Sequence, residues 1–125
     1  MYTEAVGDSV IETWTIDEVA DAWERGAIVL IDVRTVQEYA FEYIEGAMLL
    51  PLASLDATRL PGQRDKRIVF MCGSGIRSKT AARAAIGAGV APIAHMEDGI
   101  EAWKALGLPY TGTDVGTGLQ RRVNS

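Results

Sequence analysis

Cys72 is the only cysteine of the chain, and it opens a loop between a predicted strand and a predicted helix. Residues 68–71 form an apolar run with β-branched and aromatic side chains, which is typical of a buried strand. Ser78 is a favourable N-cap residue, and the alanine-rich stretch after it predicts a helix over residues 78–88. Two glycines in the loop between these elements allow a tight bend that exposes backbone N–H groups.

These surroundings favour a reactive thiol. The N-terminus of a helix is the positive end of its dipole, and Arg77 adds a fixed cation near Cys72. Both features lower the pKa of a thiol and so favour the thiolate, which is the nucleophilic form. The alternative is a structural cysteine, because free cysteines often pack as small hydrophobic residues. The glycines, the arginine and the cap suit an anion-binding loop better than a packed core, so we predict that Cys72 is reactive.

The composition argues against several other kinds of protein. Hydrophobic residues make up 48% of the 125-residue chain, which predicts one folded domain with a core. The chain has no apolar run of about 18 residues and no signal-peptide pattern at its start, so a cytoplasmic protein without a membrane partner is expected. A single cysteine and a single histidine, His95, leave disulfides, zinc sites and a Ser-His-Asp triad incomplete. We therefore predict neither a metal nor a cofactor.

The charges are unevenly distributed along the sequence. The net charge of −5 argues against a nucleic-acid partner. Residues 1–45 carry eleven acidic and two basic side chains, whereas residues 59–83 carry seven basic and one acidic. Because the basic segment surrounds Cys72, we expect a local positive field that attracts a small anion or an acidic partner. For several bases between Arg59 and Arg67, a solvated surface is the simpler interpretation.

Helix and strand patterns alternate along the rest of the chain. Thr15 and Glu18 form a capping box, and Thr35 predicts the start of a short helix over residues 36–41. Residues 27–33 form a continuous apolar run, which is typical of a strand buried on both faces of a parallel sheet. The remaining predicted elements are a strand over residues 47–50, helical turns over 52–60, a strand over 92–96, and a helix that begins at Asp98 and buries Ile100, Trp103 and Leu106.

This alternation predicts an open parallel α/β sheet. In such sheets ligands bind beyond the carboxyl ends of the strands, which is where Cys72 lies. Asp32 ends another predicted strand, and a buried carboxylate is costly unless it is paired. Arg34 or a backbone N–H group can supply that partner.

Three segments resemble the signatures of the rhodanese family, whose single-domain members are sulfurtransferases. They are residues 30–34 with Glu38 and Tyr39, the loop over residues 72–78, and residues 98–104 with 107–109. Their order and spacing make the resemblance specific, and it extends from about Thr15 to Tyr110. The resemblance implies an open five-stranded parallel sheet with helices on both faces.

The resemblance also implies a division of the chain. It places a rhodanese-like domain over residues 14–110. Residues 1–13 show no clear period and are predicted to form an extended N-terminal arm. Residues 111–125 are rich in Gly and Thr and are predicted to form a loose C-terminal tail.

Two places depart from the family's pattern. Glu42, Tyr43 and Glu45 stand where Gly, His and Pro are common, and Asp98 stands where Gly is usual. The histidine common at the position of Tyr43 is chiefly structural in the family. We therefore expect a change in local geometry rather than in chemistry.

The resemblance implies a role for each residue of the loop. The thiolate of Cys72 attacks the outer sulfur of a donor such as thiosulfate, and the persulfide that forms passes its sulfur to cyanide or to a thiol, which a protein can carry. Two such half-reactions predict ping-pong kinetics. The residues implied to bind the persulfide or the substrate are Gly73, Ser74, Gly75, Ile76, Arg77 and Ser78. Asp32 and Arg34 are expected to support the loop, and no role is assigned to His95.

Arg77 also bears on the choice of donor. The start of the loop, residues 72–76, resembles the loop of mercaptopyruvate sulfurtransferases, whereas a basic residue at position 77 resembles the thiosulfate-using relatives. We expect Arg77 to bind the oxyanion of the donor through charge-assisted hydrogen bonds. Because those relatives often have a second basic residue where this chain has Gly73, thiosulfate is expected to be used with a high KM.

Two other functions compete with this interpretation. A cysteine phosphatase or arsenate reductase needs one more residue between its cysteine and its arginine, and Ser78 stands at that position. A non-catalytic binding or regulatory module is the second alternative, but inactive relatives usually lack the cysteine that this chain retains.

Overall fold

Helices and strands alternate along the computed structural model, which describes residues 1–124. The strands are β1 (Tyr2–Val6), β2 (Ser9–Trp14), β3 (Ile28–Asp32), β4 (Glu42–Tyr43), β5 (Met48–Leu49), β6 (Arg67–Met71), β7 (Ile93–Met96), β8 (Tyr110–Thr113) and β9 (Gln120–Val123). The α-helices are α1 (Ile16–Glu24), α2 (Val36–Phe41), α3 (Ile76–Gly87) and α4 (Gly99–Ala105), and short 3-10 turns cover Leu52–Ser54 and Ala57–Arg59. Within the described residues, no helix has the length and apolarity needed to cross a membrane.

The central sheet has six strands in the order β1-β2-β7-β6-β3-β5. All neighbouring pairs from β2 through to β5 are parallel, which confirms the predicted open parallel sheet. Strand β1 adds an antiparallel edge, because Gly7 adopts a φ of 60° and turns the chain back into a hairpin. Strand β6, which leads into Cys72, therefore lies inside the sheet between β7 and β3.

The first strands occupy a segment for which the sequence predicts only an extended arm. Strand β2 pairs with β7, with Ile11 opposite Ile93, and is a full member of the sheet. Ile11 and Thr13 are buried, while Val10 is exposed. This alternation is the normal signature of a strand, but it runs over too few residues to stand out in the sequence.

A second, smaller sheet replaces the predicted loose tail. Strands β4, β8 and β9 pair antiparallel, and β8 and β9 lie in the C-terminal segment. Thr113 Oγ1 donates to the carbonyl oxygen of Phe41 at 2.7 Å, and Gln120 Nε2 donates to that of Ala40 at 2.8 Å. Backbone pairing and polar contacts, rather than buried apolar side chains, fix this segment in place. The sequence therefore shows no apolar period from which these strands could be predicted.

The core has one layer on each face of the central sheet. Helices α1 and α4 cover one face with residues such as Val19 and Trp103, against Leu30 and Val69 of the sheet. Helix α3 covers the other face, where the cluster includes Ile11, Ile31, Phe70, Ala81 and Ala85. Adjacent strand residues point to opposite faces. Helices on both faces confirm the predicted fold class.

One predicted core residue lies outside the core. Leu106 is 60% exposed, although Ile100 and Trp103 of the same helix are buried as predicted. Positions three apart on a helix drift by about 60° per step, so the third member of such a row turns away from the sheet. Helix α4 also ends at Ala105, before that position.

Candidate active site

The loop that follows β6 begins at Cys72 and leads into α3 earlier than the sequence predicts. Helix α3 starts at Ile76, and its N-cap is Gly75, whose φ of 97° only glycine adopts easily. Ser78 is therefore not the N-cap but a buried residue inside the first turn. Ser78 is favourable as an N-cap, but the left-handed backbone of Gly75 already starts the helix three residues earlier.

Helix α4 packs directly on the loop. Its backbone N–H groups at Ile100 and Glu101 donate to the carbonyl oxygens of Cys72 and Gly73 at 2.9 and 3.4 Å. A side chain at Gly99 would overlap those two carbonyl groups, so glycine is required there for the close approach. Because the carbonyl oxygens are bound by α4, the loop turns its N–H groups toward the sulfur instead.

The sulfur of Cys72 accepts hydrogen bonds from two backbone N–H groups. Gly75 donates at 3.1 Å and Ser78 at 3.3 Å. Burial raises the pKa of the Cys72 thiol, but hydrogen bonds from the loop, those of Ser78 foremost, outweigh it, so the pKa lies below its ordinary value. The residue is 0% exposed, so neighbouring atoms cover the thiol in this structure.

Arg77 lies beside this loop but is paired with a carboxylate. Its two terminal nitrogens donate to the two oxygens of Glu38 at 2.6 and 2.9 Å. A Cβ atom on Gly73 would lie 3.3 Å from one of these nitrogens, which places the guanidinium against the loop. The hydrogen bonds from Arg77 are the main reason that the pKa of Glu38 falls to about 2. The sequence predicts Arg77 as an anion ligand, and its contact with Glu38 was not foreseen.

Ion pairs connect the two charged segments of the sequence. Four bases of the segment 59–83 form ion pairs, three of them with the acidic N-terminal segment. The pairs are Lys79 with Glu4 at 2.8 Å, Arg67 with Glu12 at 3.1 Å, Arg77 with Glu38 at 2.6 Å, and Arg59 with Asp56 at 3.6 Å. The strong positive field expected around Cys72 is therefore reduced by nearby carboxylates.

Asp32 and Arg34 form a buried ion pair at the carboxyl end of β3. They are 0% and 3% exposed, and Arg34 Nη2 lies 2.8 Å from Asp32 Oδ2. The backbone N–H of Arg34 also donates to Asp32 at 2.9 Å, so both predicted partners of the carboxylate are used. Arg34 donates further to the carbonyl oxygen of Glu42 at 2.8 Å. The pair thus ties β3 to β4, and its support of the cysteine loop stays a prediction.

His95 is a site residue that the sequence did not reveal. It is 4% exposed, with Nδ1 2.9 Å from Ser78 Oγ and Nε2 3.0 Å from Thr13 Oγ1. Burial, with smaller contributions from Lys79 and Arg83, lowers the pKa of His95 to about 4, so the ring is neutral near pH 7. The sequence signal that could have revealed His95 is its position within an apolar strand pattern, because a buried polar group needs hydrogen-bond partners.

The tautomer of His95 follows from its neighbours. Ser78 Oγ donates to the carbonyl oxygen of Gly75 at 3.2 Å, so its lone pair accepts from Nδ1–H of the ring. Nε2 then accepts from the hydroxyl of Thr13. This assignment satisfies all three side chains and directs the hydroxyl hydrogen of Ser78 into the loop.

The structure shows the local geometry at the two places that depart from the family's pattern, residues 42–45 and Asp98. Tyr43 stacks on Tyr39 with ring centroids 4.8 Å apart, and the hydroxyl of Tyr39 donates to the carbonyl oxygen of Ala47 at 2.7 Å. Asp98 has a φ of 57°, in the left-handed region that glycine adopts most easily. The glycine usual at this position would adopt that backbone without strain.

A cavity of about 280 Å³ adjoins Arg77. Its apolar lining comes from Val33, Pro51, Leu52 and Ala53. The polar side of the cavity includes Arg34, which is already held by Asp32. Among the described residues, no group of His, Cys, Asp and Glu side chains is arranged to hold a metal ion.

Comparison with known proteins identifies a family. A family model described as Rhodanese-like domain matches residues 15–106. An uncharacterized protein of Synechocystis sp. is 40% identical over 90 residues, which cover 72% of this chain and 50% of that protein. The thiosulfate sulfurtransferase GlpE of Coxiella burnetii is 31% identical over 88 residues, which cover 68% of this chain and 82% of the relative. The matched region is thus half of the Synechocystis protein and most of GlpE.

A solved structure resembles the fold closely. It is a protein of unknown function from Rhodopseudomonas palustris CGA009, described as a possible tyrosine phosphatase. It is 33% identical, superposes with a TM-score of 0.70, and the match covers 79% of this chain and 83% of that chain.

Proposed function

This chain belongs to the rhodanese-like domain family, and on that premise we propose that it is a sulfurtransferase whose persulfide intermediate forms on Cys72. The sulfane sulfur comes from thiosulfate or a related donor, and a thiol or cyanide accepts it. The similarity to GlpE, which is named a thiosulfate sulfurtransferase, supports this reaction class.

One observation carries the proposal. The sulfur of Cys72 already accepts hydrogen bonds from the N–H groups of Gly75 and Ser78, at 3.1 and 3.3 Å. These donors belong to the loop and to the first turn of α3, so they are rigid and need no reorganisation when negative charge forms on sulfur. The same groups lower the pKa of the thiol, which favours the nucleophilic thiolate.

The chemistry balances without a cofactor. The thiolate of Cys72 forms a bond to the outer sulfur of thiosulfate, the S–S bond of the donor breaks, and sulfite leaves with the electron pair. Cyanide then bonds to the terminal sulfur of the persulfide, the new S–S bond breaks, and thiocyanate departs as Cys72 returns to the thiolate. The backbone N–H groups of the loop would hold the anionic terminal sulfur between the two half-reactions.

Intact-protein mass spectrometry tests this proposal. Incubation with thiosulfate should add about 32 Da to the protein, and cyanide should remove that mass while thiocyanate is released. Cys72→Ser is the control, because a hydroxyl stays protonated and cannot hold a persulfide. No mass gain from any sulfane-sulfur donor would refute the proposed function, as would transfer by Cys72→Ser within tenfold of the parent.

A phosphatase is the principal alternative, because the R. palustris relative is described as a possible one. A phosphatase of this kind needs a longer loop to surround a tetrahedral oxyanion, and here only the residues 73–76 separate the cysteine from the arginine. Arg77 is also engaged by Glu38 rather than directed to an empty oxyanion site. Hydrolysis of a phosphotyrosine mimic without sulfur transfer would reverse this ranking.

A further inference from the structure

Glu38 occupies both hydrogen-bonding nitrogens at the end of the Arg77 side chain. The contacts measure 2.6 and 2.9 Å and form a bidentate pair, which is the strong geometry for arginine and a carboxylate. Both side chains are partly exposed, at 36% and 37%, so the pair lies at the surface of the candidate site. An anionic donor that uses Arg77 must therefore compete with a carboxylate already in place.

Glu38 is held where it is by its own helix. Its Oε1 atom accepts from the backbone N–H and from the hydroxyl of Thr35, each at 3.0 Å. The backbone N–H of Glu38 donates in return to Thr35 Oγ1 at 3.1 Å, which completes the capping box of α2. If the carboxylate moved away from Arg77, it would also lose its two hydrogen bonds from Thr35, the side-chain half of the capping box. Its low pKa keeps it ionised at every working pH.

Two other bases near Arg77, Arg34 and Lys79, are themselves paired and do not offset Glu38. Arg34, the nearest base on the cavity wall, is buried against Asp32 at 2.8 Å. Lys79, in the same helix as Arg77, is paired with Glu4 at 2.8 Å. The cavity beside Arg77 is otherwise lined by apolar side chains such as Val33 and Leu52. These two pairs and the pair of Arg77 with Glu38 thus carry no net charge before the thiolate forms.

Given the sulfur-transfer function proposed above, we propose that Glu38 determines donor specificity: by neutralising Arg77 it disfavours dianionic donors and favours donors with at most one negative charge. The Coulomb energy of a donor in this field is proportional to its charge. Thiosulfate carries two charges at the site, whereas mercaptopyruvate carries one. The carboxylate of Glu38 therefore acts on thiosulfate twice as strongly, in free energy, as on mercaptopyruvate.

Both donors produce the same persulfide on Cys72, so they can be compared in one assay. Thiosulfate loses sulfite. Mercaptopyruvate loses pyruvate, as its C–S bond breaks and the proton of the donor thiol moves to the carbon. The acceptor half-reaction with cyanide is identical for the two donors, so a difference between them arises in the first half-reaction.

Glu38→Gln is the decisive variant, because glutamine also completes a capping box, removes the charge and keeps one acceptor oxygen for Arg77. We expect kcat/KM to rise about tenfold for thiosulfate and about threefold for mercaptopyruvate, the square root of the first factor. Glu18→Gln is the matched control, since Glu18 closes the equivalent capping box of α1 with Thr15 and should leave both donors unchanged. An equal change for both donors, or a fall for thiosulfate, would overturn the proposal.

Alkylation of Cys72 provides a readout that does not depend on sulfur transfer. The rate with iodoacetate, an anion, is divided by the rate with neutral iodoacetamide, so that changes in thiolate content cancel. Glu38→Gln should raise this ratio about threefold, as expected for one charge on the reagent. In the parent the ratio should rise with added salt, because the thiolate leaves a net negative charge that salt screens.

Donor kinetics and the alkylation ratio together distinguish the proposed sulfur transfer from the proposed role of Glu38. A protein that transfers no sulfur but shows the rise in the alkylation ratio retains the charge effect of Glu38 and loses the proposed function. A protein that transfers sulfur but shows neither the donor difference nor the alkylation effect retains the function and refutes the role of Glu38.

Discussion

Nδ1 of His95 lies 2.9 Å from Oγ of Ser78, a residue whose backbone N–H donates to the sulfur of Cys72. Nε2 of the same ring contacts Thr13 in β2, so hydrogen bonds link an outer strand of the parallel sheet to the cysteine loop. Because the ring is buried and neutral, it orients the hydroxyl of Ser78 through a directional hydrogen bond and not through its charge. We therefore predict that His95 is a positioning residue for the loop.

The first prediction concerns the reactivity of Cys72. Because the loop N–H groups lower the pKa of the thiol, alkylation by iodoacetamide should show a pH midpoint below the free value of about 8.5. The chain has one cysteine, so the label reports on this site alone. A midpoint at or above the free value would contradict the hydrogen-bonded thiolate described above.

The second prediction tests the positioning role of His95. His95→Phe removes the ring partner of both buried hydroxyls and leaves Ser78 only its bond to Gly75, which should destabilise the protein by about 1–3 kcal/mol. It should also raise the alkylation midpoint of Cys72 by about 0.5–1 pH unit, since the loop donors are less well fixed. Chemical denaturation and the alkylation profile measure the two effects.

Thr13→Val is the matched control for His95→Phe. It removes the contact at Nε2, far from the loop, and leaves the contact between His95 and Ser78 in place. It should lower stability without moving the midpoint of Cys72. An equal midpoint shift in both variants would mean that His95 acts through general stability alone.

The third prediction is a dependence of stability on pH. The pKa of His95 falls from about 6.5 in the unfolded chain to about 4 in the folded protein. The unfolded chain therefore binds more protons in this window, and stability should decline as the pH falls from about 6.5 to about 4, by up to about 3 kcal/mol. His95→Gln should flatten this decline, as measured by urea unfolding at pH 7 and pH 5. A parent whose stability is unchanged between those values would contradict it.

The fourth prediction concerns Arg77. Arg77→Thr removes the cation and leaves the charge of Glu38 at the site, so thiosulfate turnover should fall by roughly 10–150-fold in kcat/KM, as for one charge-assisted partner. Mercaptopyruvate turnover should fall less, because it carries one charge fewer. Steady-state kinetics with both donors measure the difference. Equal losses would mean that Arg77 shapes the loop without discriminating between donors.

Local features of the sequence predicted much of the fold. The capping boxes at Thr15 and Thr35 are present as expected, and the helix after Thr35 covers the predicted residues. The apolar run that leads to Cys72 is a central strand, and the loop lies at the carboxyl edge of the sheet. These predictions succeeded because capping and apolar periodicity depend on residues only a few positions apart.

The remaining features depend on contacts between distant residues. Glu38 and Arg77 are separated by 39 positions, and Thr13 and His95 by 82, so neither pair leaves a local pattern. The start of α3 was misjudged for a related reason. The left-handed backbone of Gly75 fits against Asp98 of the following segment, and the preference of Ser78 for a cap position says nothing about that contact.

The hairpin that adds β1 determines which strand forms one exposed edge of the central sheet. Without β1, the row of backbone N–H and C=O groups along β2 would be open to pairing with a second chain. Strand β1 covers that edge and presents exposed residues, including Glu4, which is paired with Lys79. At the opposite edge β5 is two residues long and is followed by Pro51, which has no N–H to donate. The hairpin thus moves the open edge from β2 to β1, whereas the short β5 discourages strand addition at the other edge.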